Sequence, residues 1–400
     1  MKLYTVKTDV CADRKIIADD MILTKDIPTT AGSRMLEGYV SLFEAEALTR
    51  AKAAGYTLVG KADVGEFAID LVGETSCNGA CVADGKLVNA SAEIIKNNDA
   101  EAALTLDVNG SVRRAAAQSG LVSVKPTYGT VSRYGVIPVA CSGETVSVMA
   151  KDADACAELL AAIMGHDAKD GTSLSDEQCA NVAHNSWDIH RVALVTSLTA
   201  GIDASVRAKL DGAIKTLVAD GIEVCEIDGS LLNAARPAWN ILMSAELCNN
   251  VSRYDGVKYG HRAESFSGID ELYTNSRTEA FGELLKTAIL FGSDTLSTEN
   301  YMKVYDKALR TRRVIVNEFT KLFGEFDAIL MPACSTLAYT EDMLKADVYG
   351  AFVENLYTAP ASITGLPAVV AGGVQLIGKA FSEAALLNVA KKLEKEGAQI

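Results

Sequence analysis

Histidine is scarce in this 400-residue chain: His166, His184, His190 and His261 are all there are, and no two fall at the spacing of a helical metal-binding motif. A histidine-based or metal-dependent hydrolase has little to work with, and no metal and no cofactor are expected. The nine cysteines lie singly, and the nearest pair, Cys77 and Cys81, forms a CxxxC that no second pair completes into a zinc site. Reduced, mostly buried thiols are the expectation. Proline is sparse, at seven, and no low-complexity run occurs, so no flexible linker divides the chain and residues 1–400 read as one compact unit. No apolar run approaches a membrane span, and the start Met1-Lys2-Leu3-Tyr4 lacks the apolar stretch of a signal peptide. A soluble, cytoplasmic protein is expected, with no membrane contact. Basic residues are outnumbered 38 to 52, giving a net charge of −14 that repels phosphate. Direct nucleic-acid binding is therefore not expected, and any RNA contact would need a partner protein.

Apolar residues make up 49% of the chain, enough for one large core. Ala-rich helical stretches alternate with short Val/Ile/Leu runs. From Glu44 a helix runs to a break at Gly55, followed by a strand over Tyr56–Val59. The same step recurs where a helix from Ser205 ends near Gly221 and leads into a strand at Ile222–Ile227. Further strands are predicted at Val192–Val195, Ala328–Met331 and Gly373–Ile377, with helices over Ala153–Met164 and Ser382–Glu394. The fold class is α/β, with a mixed or mainly parallel sheet flanked by helices on both faces. Between about Leu231 and Phe323 the strand signal vanishes, which predicts a helical subdomain at about 231–323 inserted in that body.

The densest cluster of special residues is Leu106-Asp-Val-Asn-Gly-Ser-Val-Arg-Arg114, followed by Lys125-Pro-Thr-Tyr-Gly129. A Gly110-Ser111 pair opening an Ala-rich helix can present a hydroxyl nucleophile beside backbone N–H groups that stabilise an oxyanion. On residue type alone, the commoner role of such a serine is to cap the helix.

The run Gly110-Ser-Val-Arg113, continuing through Ala115-Ala-Ala-Gln-Ser-Gly to Lys125-Pro-Thr-Tyr-Gly-Thr-Val-Ser-Arg-Tyr-Gly135, is similar to the signature block of the amidase-signature family. Thr24–Leu36, Val59-Gly-Lys-Ala-Asp-Val-Gly-Glu-Phe67, Thr364-Gly-Leu-Pro367 and Val374–Phe381 resemble further family blocks, so the likeness spans nearly the whole chain. Within the insertion, Ser252–Glu264 and Ser276–Gly282 look like the A subunits of tRNA-dependent amidotransferases. That resemblance implies the amidase-signature fold, a glutamine amide hydrolysis that passes ammonia onward, and amidotransferase B- and C-type partner subunits. It also implies three catalytic residues: a serine nucleophile at Ser111, a relay serine, and a lysine base.

Against that pattern the chain departs at both helpers. Counting back from Ser111 without gaps, the family's glycine-serine loop falls on Gly85-Lys-Leu-Val-Asn-Ala90, which puts Leu87 at the relay position; Ser91 is the nearby hydroxyl. The lysine position falls on Asp19. Lys15 lies four residues off on the same strand, roughly 13 Å away and too far for direct proton transfer. A rival alignment of Val6-Lys-Thr-Asp-Val-Cys11 offers Lys7 as base. The oxyanion turn reads Val108, Asn109, Gly110, where Asn109 can still adopt some glycine-like conformations. The family's glutamine clamp of tyrosine, arginine and aspartate appears as Trp239, Ala288 and Asn355, so glutamine should bind poorly. The resemblance further implies a shortening before the lysine strand and at Leu366–Val374, the marks of a degenerate, truncated paralogue.

A serine hydroxyl is a feeble nucleophile until a neighbouring base takes its proton. A catalytically silent chain with a binding or scaffold role is therefore expected. The alternatives are an active amidase that uses Ser111 with a non-standard base such as Lys7, or a fold reused for an unrelated small-molecule pocket. Trp239 in a cleft would fit the last; Trp239 packing the helical subdomain would not.

Overall fold

The computed structural model describes residues 2–8, 10, 12–184 and 187–397. Its strands are β1 (Tyr4–Lys7), β2 (Lys15–Asp19), β3 (Thr57–Ala62), β4 (Val82–Ala83), β5 (Lys86–Leu87), β6 (Ala102–Asp107), β7 (Val122–Lys125), β8 (Thr145–Ala150), β9 (Arg191–Val195), β10 (Glu223–Ile227), β11 (Ala328–Pro332), β12 (Ala368–Ala371) and β13 (Val374–Gly378). Eleven of them form one sheet in the order β1-β3-β2-β6-β8-β7-β12-β13-β11-β9-β10, while β4 and β5 make a separate hairpin. The sheet is mixed. β2 runs parallel to β3 and β6, and β9 runs parallel to β10 and β11. The central block around β8, β7, β12 and β13 is antiparallel.

Because side chains alternate across a strand, one strand feeds two cores. In β11, Ile329 and Met331 join the apolar cluster on one face and Ala328 and Leu330 the cluster on the other. The same split occurs in β12, with Ala368 and Val370 against Val369 and Ala371. Both faces are thus covered by helices, as parallel strands require. At one rim, β10 turns Glu223 and Glu226 to solvent, charges that discourage pairing with another chain's edge.

The helix-to-strand steps fall where the pattern placed them, at Glu46–Ala53 into β3 and at Ala204–Ala219 into β10. Helices also occupy Ala153–Ile163 and Glu383–Gly397. Among the described residues no strand lies between Ile227 and Ala328. Helices Ala235–Val251, Ile269–Ala280, Glu283–Thr295 and Asp306–Leu322 fill that interval. The first and third cross closely at Gly292, where a Cβ would lie 2.0 Å from the Ser244 carbonyl oxygen. No helix among the described residues is long and apolar enough to cross a membrane.

Candidate active site

β6 ends at Asp107 and hands the chain to a tight turn, Val108-Asn109-Gly110, before the helix Ser111–Ser119. Gly110 adopts φ +84°, a left-handed conformation, and a Cβ there would lie 2.3 Å from Thr358 Cβ, so glycine is required on both counts. Gly110 is the helix N-cap and Ser111 the first helical residue, 5% exposed. Ser111 is therefore not the cap that residue type alone suggested. Its hydroxyl hydrogen-bonds no group among the described residues. Nor does any described group accept from the N–H of Asn109, Gly110 or Ser111.

Two buried guanidinium groups hold the turn. Arg113 grips Asp107 through Nε and Nη2 at 2.8 and 2.9 Å, and also donates to Gln375 Oε1 and Ser362 Oγ at 2.8 Å. Burial pushes the Asp107 carboxyl up, but the Arg113 charge and hydrogen bonds, together with the charges of Lys125 and Arg114, outweigh it and hold the group below the usual carboxylate range. Arg114 donates to the carbonyls of Asn109, Asp70 and Leu71 at 2.9, 2.8 and 2.9 Å. Both arginines are wholly inaccessible to solvent.

The position aligned with the lysine base carries Asp19, at the C-terminal end of β2 and buried. Its Oδ1 accepts from Ser91 Oγ at 2.7 Å and its Oδ2 from the Leu106 N–H at 3.2 Å. Burial raises its pKa to about 7, against the lowering pull of those two bonds. The chain thus brings together two residues singled out separately in the sequence, the carboxylate in place of the base and the hydroxyl nearest the relay position. Sequence reasoning missed their neighbour. Lys61 on β3 is fully buried, 2.8 Å from Asp20 Oδ1 and donating to Thr29 Oγ1 at 2.5 Å. Burial lowers its pKa, with Asp20 opposing. A lysine inside the apolar run Thr57-Leu-Val-Gly-Lys-Ala62 was the available signal, since such a charge is found inside only when paired.

Lys7 does not meet Ser111. It lies on β1, half exposed, with its amine 3.1 Å from Asp99 and over the Tyr4 ring. Three strand spacings separate β1 from β6 in the sheet, about 14 Å.

Leu87 is held by a hairpin. Asp84 and Gly85 both take positive φ, +50° and +74°, the conformation of a two-residue type I′ turn, and β4 pairs with β5 across them. Leu87 is buried in the core; its N–H donates to the Tyr339 carbonyl at 2.8 Å and its carbonyl accepts from Gln118 Nε2 at 2.6 Å. All described peptide bonds are trans. Just beyond, Asn89 caps the helix Ala90–Lys96 that carries Ser91.

The three clamp positions are all buried. Trp239 packs so closely that a Cβ on Gly143 would lie 2.3 Å from its ring, and its indole N–H has no partner among the described residues. Trp239 is therefore a packing residue of the helical subdomain. Ala288 lies in the same core. Asn355 reaches the site itself: its Nδ2 donates to Asn109 Oδ1 at 2.7 Å and to Asn240 Oδ1 at 2.5 Å. Asn109 in turn donates to the carbonyls of Ile69 and Ala351, at 2.9 and 3.3 Å. Among the described residues no group of three or more His, Cys, Asp or Glu side chains is arranged to hold a metal ion.

The likeness to known proteins is specific and runs the length of the chain. The Amidase family model matches residues 16–87 and 90–387. The A subunit of glutamyl-tRNA(Gln) amidotransferase from Acinetobacter baumannii (strain AYE) is 36% identical over 398 residues, 94% of this chain and 81% of that protein. Its counterpart from Caldanaerobacter subterraneus is 34% identical, over 95% of this chain and 82% of that protein. The crystal structure of the corresponding A subunit from Thermotoga maritima superposes with a TM-score of 0.80 at 26% identity, covering 98% of this chain and 87% of that one. A 6-aminohexanoate cyclic dimer hydrolase shares the fold, with a TM-score of 0.78 at 18% identity over 96% of this chain and 84% of that one. With the family model matching residues 16–87 and 90–387, and relatives 36% and 34% identical over 94% and 95% of its length, the chain belongs to the amidase family.

Proposed function

We propose that this protein is an amidase-family member of the amidotransferase A-subunit type that does not release ammonia from glutamine by the family mechanism, and that acts by binding partner subunits. The observation that carries this is Asp19. A carboxylate at the base position, already accepting from Ser91 and Leu106, does not supply the lysine amine that the family mechanism uses as base. Leu87 at the relay position has no proton to pass. At the clamp, Asn355 spends both amide hydrogens on Asn109 and Asn240, and Ala288 offers no charge to an α-carboxylate. Binding needs only the fold and the helical subdomain, and the likeness to amidotransferase A subunits makes B- and C-type subunits of that assembly the natural partners. The working compartment is the cytoplasm, where such subunits would serve protein synthesis.

The rival reading, an active amidase using Ser111 with a non-standard base, is favoured by one observation, the free N–H groups of the Asn109–Ser111 turn. One assay decides between them. Ammonia release from glutamine by the purified chain, by itself and with B- and C-type subunits, is expected to match that of Ser111→Ala. Release that Ser111→Ala abolishes would overturn the proposal. Stoichiometric co-elution with a B-type subunit is expected on size exclusion; failure to associate counts against the binding role.

A further inference from the structure

A second site lies outside the Ser111 turn. The helices Ala235–Val251 and Glu283–Thr295 and the short helix Ala351–Glu354 enclose a cavity of about 480 Å³, a volume typical of small-molecule sites. Its walls are mainly apolar, with Ile241, Phe291 and Phe352 facing it, and three polar groups share the lining: Arg236, Asn240 and Thr287. The mouth is open, since Phe291 and Val353 are 42% and 50% exposed.

The polar groups differ in how they are committed. Asn240 is held within the protein, donating to the Phe352 carbonyl at 2.9 Å and accepting from Asn355. Arg236 and Thr287 are not: neither side chain makes a hydrogen bond or ion pair with any described residue. Other arginines of the helical interval show the contrast. Arg312 donates to Ser142 O at 2.9 Å and Arg277 to the Tyr254 carbonyl at 2.8 Å. In a chain with 52 acidic residues, an arginine that meets no carboxylate of its own, at the wall of an apolar cavity, is set to receive an anion from outside.

We propose that this cavity binds a small organic monocarboxylate with a flat apolar body, the carboxylate on Arg236 with the Thr287 hydroxyl beside it and the body between Phe291 and Phe352. One guanidinium matches one carboxylate. A phosphate dianion would call for a second cation, and none lines the cavity. Aromatic walls favour a ring or short chain over a polar amino acid such as glutamine. The site stands whether or not Ser111 is active, because none of its lining residues belongs to the serine turn.

The probes are 3-phenylpropanoate and its neutral amide, 3-phenylpropanamide, titrated calorimetrically into the full chain. The acid should bind at least about 10-fold more tightly than the amide, the difference expected of one charge-assisted hydrogen-bonded pair. Arg236→Gln should bring the two within about 2-fold of each other, Arg236→Lys should keep part of the preference, and Phe291→Ala should weaken both ligands. Ser111→Ala should change nothing. Equal binding of acid and amide, absence of binding by both, a preference that survives Arg236→Gln, or loss of binding in Ser111→Ala would each overturn the assignment. Should Arg236→Gln fail to fold, Arg236→Lys and Phe291→Ala read the same two contacts.

Discussion

Ser91 Oγ donates to Asp19 Oδ1 across 2.7 Å in the interior of the chain, tying the helix Ala90–Lys96 to the end of β2. Both partners are committed by this bond, and the second oxygen of Asp19 is committed to the Leu106 N–H.

The Asp19 carboxyl, raised to about 7 by burial, should leave a mark on stability. A carboxyl whose folded pKa exceeds its unfolded value holds its proton more tightly when folded. The stability it contributes is fully present below about pH 4 and is lost as pH climbs through 7. Asp19→Asn removes this titration while keeping an acceptor for Leu106 and a donor for Ser91. In urea unfolding, the advantage of the native chain over Asp19→Asn should shrink by about 2–4 kcal/mol between pH 5 and pH 8. A difference that stays flat over that range would show that Asp19 is ionised throughout.

Restoring a hydroxyl at position 87 should not restore chemistry. Leu87 is part of a hairpin and packs in the core, so Leu87→Ser removes apolar volume and buries a polar group, costing about 2–4 kcal/mol. Ammonia release from glutamine should stay at the level of the unmodified chain. Any gain measured in a coupled glutamate assay would mean that the backbone there already has the relay geometry.

Asn355 is a required donor. The carbonyls of Phe352, Ile69 and Ala351 fix the side-chain amides of Asn240 and Asn109, so the oxygens of both face Asn355. Asn355→Asp sets a carboxylate against two acceptors and should cost roughly 1–3 kcal/mol at pH 8. The loss should shrink at pH 5, as protonation returns a donor. Calorimetric melting at the two pH values checks the sign, and an aspartate variant equally stable at both would contradict it.

Much of the fold is legible in the sequence, for different reasons in different places. β9, β11 and β13 are short Val/Ile/Leu runs bounded by turns, and they fall within a residue or so of where the pattern sets them. β6 gives no such signal. Ala102-Ala-Leu-Thr-Leu-Asp107 is rich in helix formers, and only burial on both faces makes it a strand. Ser111 and its turn are legible because Gly110 and the long Lys125–Gly135 block combine residue types that packing by itself seldom demands. The contacts that define the site's state are not. Asn355 meeting Asn109, and Ser91 meeting Asp19, join residues 246 and 72 positions apart, and no local pattern encodes such a meeting.

Part of the serine turn's bracing comes from residues some 250 positions further along the polypeptide. Arg113 is held by Thr358, Ser362 and Gln375, and Gly110 lies against Thr358. The sheet is joined across the same divide, where β7 pairs with β12. On the ribosome, then, the first hundred-odd residues emerge without all the partners that set their loop, and the pocket can be completed only once Gln375 has been made. A nascent chain stalled before residue 358 would carry Ser111 without the geometry that gives that residue any meaning.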